Sequence, residues 1–492
     1  MNFRLLSKVL GLLLLLVAGA MIVSEIYGWA DQALHGRKAA DFALLTSGGI
    51  TAFFAIVLLY LGRGSGREVL RKEAIAIVGL GWLLSALAGA IPFMLCEPGL
   101  SFSEAFFESA SGFTTTGSSV IADLSVFPND ILLWRSMTQW LGGMGILVLF
   151  VALLTMLGVG SKALFQNESS AQLSSSFYTK IQQTALRLWQ IYIGLTLICT
   201  LGLLALGLSL SDALMFTFAT LSTGGFAPTS AGIAGLDSLA VYAWVTLFMV
   251  LGGTNFILLT WLLRKNFWRI WRDEEFRTYI LLLALASLVI MLNLIIDADV
   301  ESWLAALVHS AFQVASIMTT TGFASADFDQ WPTLSKAVLL LLMFVGGCAG
   351  STSGSIKVGR WIIFIRTAWQ QIVNSFRPNQ ILRVRLNGKV LSESAKSNAV
   401  FFIALTFFIF GFSIFLVSLF EHESGYDLIT IISAVAATFT NVGPGFAAVG
   451  PFANFAGMTD ASLLLMSFLM ILGRLELFAI LALFVPALWR KY

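Results

Sequence analysis

Four short stretches of this chain resemble one another: TTTG at 114–117, STGG at 222–225, TTTG at 319–322 and TNVG at 440–443. Each closes a mostly apolar segment of about a dozen residues, near 102–113, 211–222, 303–317 and 427–439. The closing glycines stand about a hundred residues apart, and long apolar runs flank each segment. A dozen residues at 1.5 Å each cannot cross about 30 Å of hydrocarbon, so each segment must enter and leave on one side. Four repeated units are expected, with one short polar strand from each meeting the others on a common axis. Composition supports a membrane setting. The chain is 58% hydrophobic and 11% charged, whereas soluble domains are about 45–50% apolar and 25% charged.

The expected fold is an all-α polytopic membrane protein with four pseudo-symmetric units, each a span, a re-entrant helix and a second span, around one pore. Two further spans precede them, near 6–27 and 41–62. The first of these follows Arg4 and Lys8 and could be read as a signal peptide. It is long enough to span and lacks a well-placed small-x-small site, so it is expected to be retained. The units' first spans lie near 74–95, 186–208, 278–297 and 398–420; the second lie near 131–157, 239–263, 335–369 and 461–489. Their boundaries divide the chain into 1–72, 73–160, 161–265, 266–375 and 376–492. Basic residues concentrate in 63–72, 264–277 and 366–396, while the opposite loops carry acids such as Asp123, Asp237, Asp327 and Asp427. The positive-inside rule then places both termini in the cytoplasm and the four dips on the outside, with Arg37 and Lys38 as an exception.

Irregular backbone at membrane depth is tolerated only inside protein or along a water-filled cavity. Strands that gather on an axis can offer carbonyl oxygens in place of an ion's hydration shell. The candidate cation-binding residues are therefore Thr114, Thr115, Thr116 and Gly117; Ser222, Thr223, Gly224 and Gly225; Thr319, Thr320, Thr321 and Gly322; and Thr440, Asn441, Val442 and Gly443. Glycine at the closing positions permits backbone angles that a side chain resists. The short helices ahead of the strands would aim their negative C-terminal ends inward. A single Thr-Gly is a common helix stop; four at equivalent places in four units are better explained by a shared site. The second spans also repeat glycines, Gly142-Gly143, Gly252-Gly253, Gly346-Gly347 and Gly473, most simply as close-packing contacts.

Two further features fall in the second spans. The run from Gly346 to Ser355 is a poor helix on glycine content, and the apolar stretch around it exceeds one crossing, so a broken helix is expected there. A small-residue packing face is the alternative; a phosphate-binding loop is not, since Lys357 is followed by valine. Arg474 lies within an apolar span, where a charge costs about 2.5–3.5 kcal/mol, and such residues usually face a water-filled interior. Glu476, two positions on, would point elsewhere on a helix.

The strands SGFTTTGSS, TLSTGGF, MTTTGFA and TNVGPG, with GGCAGSTSGSIK and LGRLELF, resemble the Trk/Ktr/HKT superfamily of potassium transporters, and most of all its bacterial Trk branch. The resemblance covers nearly the whole chain. It implies a potassium-conducting subunit of the bacterial inner membrane, usually a homodimer with one pore per subunit, and a cytoplasmic TrkA-like ring of nucleotide-binding regulators. It implies that Gly346, Gly347, Gly350, Ser351, Thr352, Ser353, Gly354 and Lys357 belong to an intramembrane loop that obstructs the pore until a regulator moves it. Arg474 would face the pore beside that loop, as a barrier to cations or a donor that holds loop carbonyls. Glycine at all four closing positions favours potassium, since serine at the first accompanies sodium permeation in the superfamily. Gly224 and Asn441-Val442 depart from uniformity and suggest only moderate discrimination. The basic faces at 264–277 and 360–396 are the expected docking surface. Potassium would be the transported ion, with membrane lipid as surroundings and no organic cofactor or nucleic-acid partner.

An enzyme is not expected. The chain has no HExxH, no GxSxG and no His-carboxylate or Cys-His cluster; Cys96, Cys199 and Cys348 are scattered, as are His35, His309 and His422. The competing reading is a secondary symporter of another solute with broken helices at the midplane.

Overall fold

A computed structural model describes residues 1–36, 38, 42–64, 71–145, 181–263, 267–297, 302–380 and 382–490. Apart from one small hairpin, the regular elements among them are helical. An N-terminal pair, α1 (Phe3–His35) and α2 (Ala43–Leu61), packs side by side. At 33 residues α1 is about 50 Å long, well beyond the run expected at 6–27, and it also packs on α3 and α5.

The first unit contains α3 (Arg71–Leu95), the short α4 (Phe102–Phe113) and α5 (Asn129–Gly143). The second contains α6 (Ile181–Ala205), the short α7 (Leu210–Leu221), then α8 (Leu239–Gly252) and α9 (Phe256–Leu263), followed by a connecting α10 (Phe267–Arg272). The third contains α11 (Glu274–Asp297), the short α12 (Trp303–Met318), then α13 (Thr333–Leu342) and α14 (Val358–Phe376). The fourth contains α15 (Glu393–Phe420), the short α16 (Leu428–Phe439), then α17 (Asp460–Arg474), α18 (Phe478–Leu483) and α19 (Pro486–Trp489). Among the described residues six helices are long and apolar enough to cross a bilayer: α1, α2 and the first helix of each unit.

The second spans differ from their expected form. A break was expected only in the third, yet α8 gives way to α9 after Gly252 and α17 stops at Arg474. At the latter break Glu476 and Leu477 take left-handed angles, φ 55° and 67°. α5 also ends at a glycine, Gly143; the rest of its span, 146–157, lies outside the described residues. The breaks fall at Gly252-Gly253-Thr254-Asn255 and at Gly473-Arg474-Leu475-Glu476, short polar interruptions within runs otherwise apolar enough to be read as continuous spans.

The starts of the short helices follow from local chemistry. Ser101 accepts the Glu104 amide while the Glu104 carboxylate accepts the Ser101 amide, a full capping box. Ser209 and Asp427 cap α7 and α16 through their side chains. The Asp427 carboxyl, bonded by the Thr430 hydroxyl and amide, is held below the usual aspartate range. Between each strand and the following helix lies one turn of 3-10 helix, at Leu124–Val126, Ala234–Leu236, Phe328–Gln330 and Ala447–Val449. The basic connector after α14 carries the hairpin β1 (Arg385–Leu386) and β2 (Lys389–Val390), turned at Asn387-Gly388 with φ 50° and 75°.

The units succeed one another in a ring. α5 of the first packs on α7 of the second, α8 of the second on α12 of the third, and α17 of the fourth on α4 of the first. Between the third and fourth, α14 packs on α15, and the chain between α13 and α14 brings Gly354 against Thr440 and Asn441.

Candidate functional site

The four polar strands meet where the short helices end. Gly117, Gly225, Gly322 and Gly443 all line one cavity, together with Ser118, Arg135 and Phe323. Around that cavity the strands interlock in sequence order. A Cβ placed on Gly117 would stand 2.3 Å from the Gly224 oxygen; on Gly225, 1.9 Å from the Thr321 oxygen; on Gly322, 2.2 Å from the Val442 oxygen; on Gly443, 2.7 Å from the Thr116 oxygen. Each closing glycine thus touches the third-position carbonyl of the next strand, and the fourth returns to the first. The glycines are at φ 89°, 78°, 84° and 105°, angles unfavourable to any side chain.

The strand amides turn away from the centre. Those of Thr116, Gly224, Thr321 and Val442 bond back to the oxygens of Ser111, Ala219, Ser316 and Ala437 at 2.7–2.9 Å. This is made possible by the second position, where Thr115, Thr223, Thr320 and Asn441 have φ of 55°, 55°, 59° and 57°. The left-handed region is costly for a β-branched residue, and its fourfold occurrence is a strain held in place by the surrounding helices. Sequence reasoning included these four residues among the candidates but assigned special backbone angles only to the glycines; Asn441, tolerant of such angles, was the available signal.

Hydroxyls stiffen the strands. Thr114 Oγ1 lies 2.7 Å from Thr116 Oγ1, and Thr319 Oγ1 2.7 Å from Thr321 Oγ1. Asn441 Nδ2 donates to Thr116 Oγ1 and to the Met470 oxygen, at 2.9 Å each. Behind the first strand stands a buried ion pair that sequence reasoning also missed: Arg135 Nε donates to Glu108. Glu108 accepts the Val120 amide at 3.1 Å, and Arg135 donates to the Ala227 oxygen at 3.0 Å, joining the first strand's outgoing limb to the second's. Arg135 also lies over Phe226, 3.4 Å from the ring centre.

The repeated glycines of the second spans form a floor beneath the strands. Cβ atoms on Gly142 and Gly473 would reach the last oxygens of the unit's own short helix, Phe113 at 1.8 Å and Phe439 at 2.0 Å. Those on Gly143 and Gly253 would reach the next unit's first strand residue, Ser222 at 2.6 Å and Thr319 at 2.9 Å. The close-packing expectation is refined: the partner is the end of a short helix or a strand. Two tyrosines repeat in register with these glycines, Tyr192 donating to the Trp140 oxygen at 3.0 Å and Tyr279 to the Val250 oxygen at 3.2 Å.

In the third unit the floor includes the irregular run from Met343 to Lys357. Gly346 meets Gly354 of the same run, and Gly354 supplies the contact to the fourth strand. The Gly354 amide donates to Thr320 Oγ1 at 2.7 Å, and Thr352 Oγ1 lies 3.3 Å from Thr223 Oγ1, so the run touches second-position side chains from below. Its anchors are polar. The Cys348 and Thr352 amides bond to Gly253 and Gly252, and Gly350 accepts the Phe256 amide. Ser351 donates to the Cys348 oxygen. Lys357 Nζ donates to the Ser353 oxygen, and Ser353 Oγ accepts the Gly347 amide. Glu275 Oε1 accepts the Ala349 and Gly359 amides at 2.8 Å each, tying the run to the start of α14.

Arg474 occupies the place that the second glycine holds in the other units. Nη1 donates to the Thr352 oxygen at 2.5 Å and Nη2 to the Gly142 and Gly143 oxygens at 2.9 and 3.0 Å. It therefore bridges the irregular run and the end of α5. Glu476 pairs with Arg360, and it does so from beyond the end of the helix, at φ 55°, not from the helical position expected. A second cavity below the strands is lined by Trp82, Gly143, Ser353, Lys357, Gly473 and Arg474, among others.

Comparison with known proteins places this geometry. The sequence profile of the TrkH family, described as cation transport protein, matches residues 42–491. The Trk system potassium uptake protein TrkH of Salmonella typhimurium is 34% identical over 100% of both chains. The protein of the same name from Halomonas elongata is 35% identical, again over 100% of both. The crystal structure of the potassium transporter TrkH from Vibrio parahaemolyticus superposes with a TM-score of 0.87 at 31% identity, covering 100% of each chain. With a family match over most of its length and full-length relatives above 30% identity, this chain belongs to the TrkH family of cation transport proteins.

Proposed function

We propose that the chain is a potassium uptake subunit of the bacterial inner membrane and that residues 114–117, 222–225, 319–322 and 440–443 are its selectivity filter. The observation that carries this reading is the closed ring, in which each closing glycine lies against the third carbonyl of the next strand. With the amides bonded outward into the short helices, the backbone oxygens are left to replace water around a dehydrated cation. The C-terminal ends of all four short helices add negative potential at the same place. Potassium is the ion that the relatives' names give.

Gly346–Lys357 is the gate in this reading. The run lies directly beneath the ring, and between its buried ends at Met343 and Ile356 it is held largely by hydrogen bonds to polar groups that can be exchanged. Arg474 is both a positive barrier and the donor that keeps Thr352 in place. Residues 1–72 flank four pore units at 73–160, 161–265, 266–375 and 376–492. Both termini are cytoplasmic, the active form is a homodimer, and a TrkA-like nucleotide-binding partner docks on the basic faces at 264–277 and 360–396.

Rubidium and potassium uptake into proteoliposomes, with sodium as competitor, tests the function. Uptake that an equal sodium concentration fails to suppress supports the filter. Absence of cation flux with the regulatory partner present would favour a symporter of another solute.

A further inference from the structure

The second strand is the exception in the ring, because Gly224 stands where the others carry Thr116, Thr321 and Val442. Its backbone does not demand glycine: Gly224 is absent from the residues with positive φ. What excludes a side chain is Gln139 of α5. A Cβ on Gly224 would stand 2.5 Å from Gln139 Cδ, 2.7 Å from Oε1 and 2.8 Å from Nε2, and these are its nearest atoms. Gln139 is fully buried. Its Nε2 donates to the Gly224 oxygen at 2.7 Å and its Oε1 accepts the Phe226 amide at 3.1 Å.

We propose that Gln139 is a specificity-determining positioning residue: its side chain fills the place of the missing third-position side chain and fixes the Gly224 carbonyl in the ring. This deepens the filter reading and rests on it. Both ends of the amide are used, so neither leucine nor glutamate reproduces it. The Gly224 oxygen is also the one packed against Gly117, so a shift there is passed to the first strand. Ser222 has no third-position hydroxyl to pair with and keeps only the bond to its short helix that Thr114, Thr319 and Thr440 also make, donating to the Ala219 oxygen at 3.1 Å.

The experiment is uptake by proteoliposomes holding the full chain, comparing wild type, Gln139→Leu, Gln139→Ala and the double variant Gln139→Ala/Gly224→Thr, with Ser136→Ala as a control on the same helix. Gln139→Leu is expected to raise the half-saturating potassium concentration and lower potassium-over-sodium preference about fivefold, the factor that one neutral hydrogen bond is worth. Maximal flux should change less. The double variant should regain preference that Gln139→Ala loses. Gln139→Leu within twofold of wild type in both quantities would overturn the proposal. If Gln139→Leu does not fold, a folded double variant no more selective than Gln139→Ala would overturn it equally. Wild type without cation flux would instead sink the filter reading.

Discussion

Threonine at φ near +55° is an awkward residue, and the strands use it at Thr115, Thr223 and Thr320. The cost is of order 1–2 kcal/mol each, sustained because the turn sends the following amide back into the short helix. The closing glycines serve the same geometry from the other side. Gly322→Ser adds a Cβ 2.2 Å from the Val442 oxygen at φ 84°, and is expected to reduce selective rubidium uptake about tenfold or more. Wild-type uptake in that variant would mean that the strands do not interlock as described. The Glu108–Arg135 pair makes a second prediction at this scale. Removing one partner of a buried pair costs about 3–5 kcal/mol, so Arg135→Gln should lower the melting temperature far more than an exposed substitution such as Arg63→Gln. The glycines could be read from the sequence because four copies end alike. The ion pair could not, since nothing in the spacing of Glu108 and Arg135 marks them as partners across two helices.

The short helices illustrate what local sequence chemistry makes legible. S-F-S-E at 101–104 announces the start of α4, and the capping box is present. Ser101→Ala should destabilise the detergent-solubilised protein by about 1 kcal/mol, read as an earlier thermal transition with unchanged helical content. The second spans show the opposite case. Residues 239–263 and 461–489 are mostly apolar and each long enough for a full span, so continuous helices were expected; the breaks occur where a short-helix end or a neighbouring strand fills the space a helix would need. Gly142 shows how tight that floor is, with Phe113's oxygen 1.8 Å from a would-be Cβ. Only the third break was foreshadowed, by glycine content, and its register was not: Gly354, rather than the Gly346-Gly347 pair, makes the contact to the fourth strand.

At the scale of the molecule, four units close a ring because each second span reaches the next unit's short helix or strand. The fourfold repeat of the strands announced this closure, and departures from the symmetry were legible beside it; what they touch became visible only in three dimensions. Arg474 is the main one, a cation at a glycine position, bridging the irregular run to the end of α5. Arg474→Ala is expected to raise basal flux several-fold and weaken dependence on the regulatory partner. Transport and regulation unchanged from wild type would remove both roles given to the residue.

The most direct measurement is anomalous diffraction from crystals of the full chain grown in rubidium. The account predicts peaks on the axis of the ring, coordinated by oxygens of residues 114–117, 222–225, 319–322 and 440–443 together. Ordered rubidium elsewhere in the membrane region, with none between the strands, would contradict it.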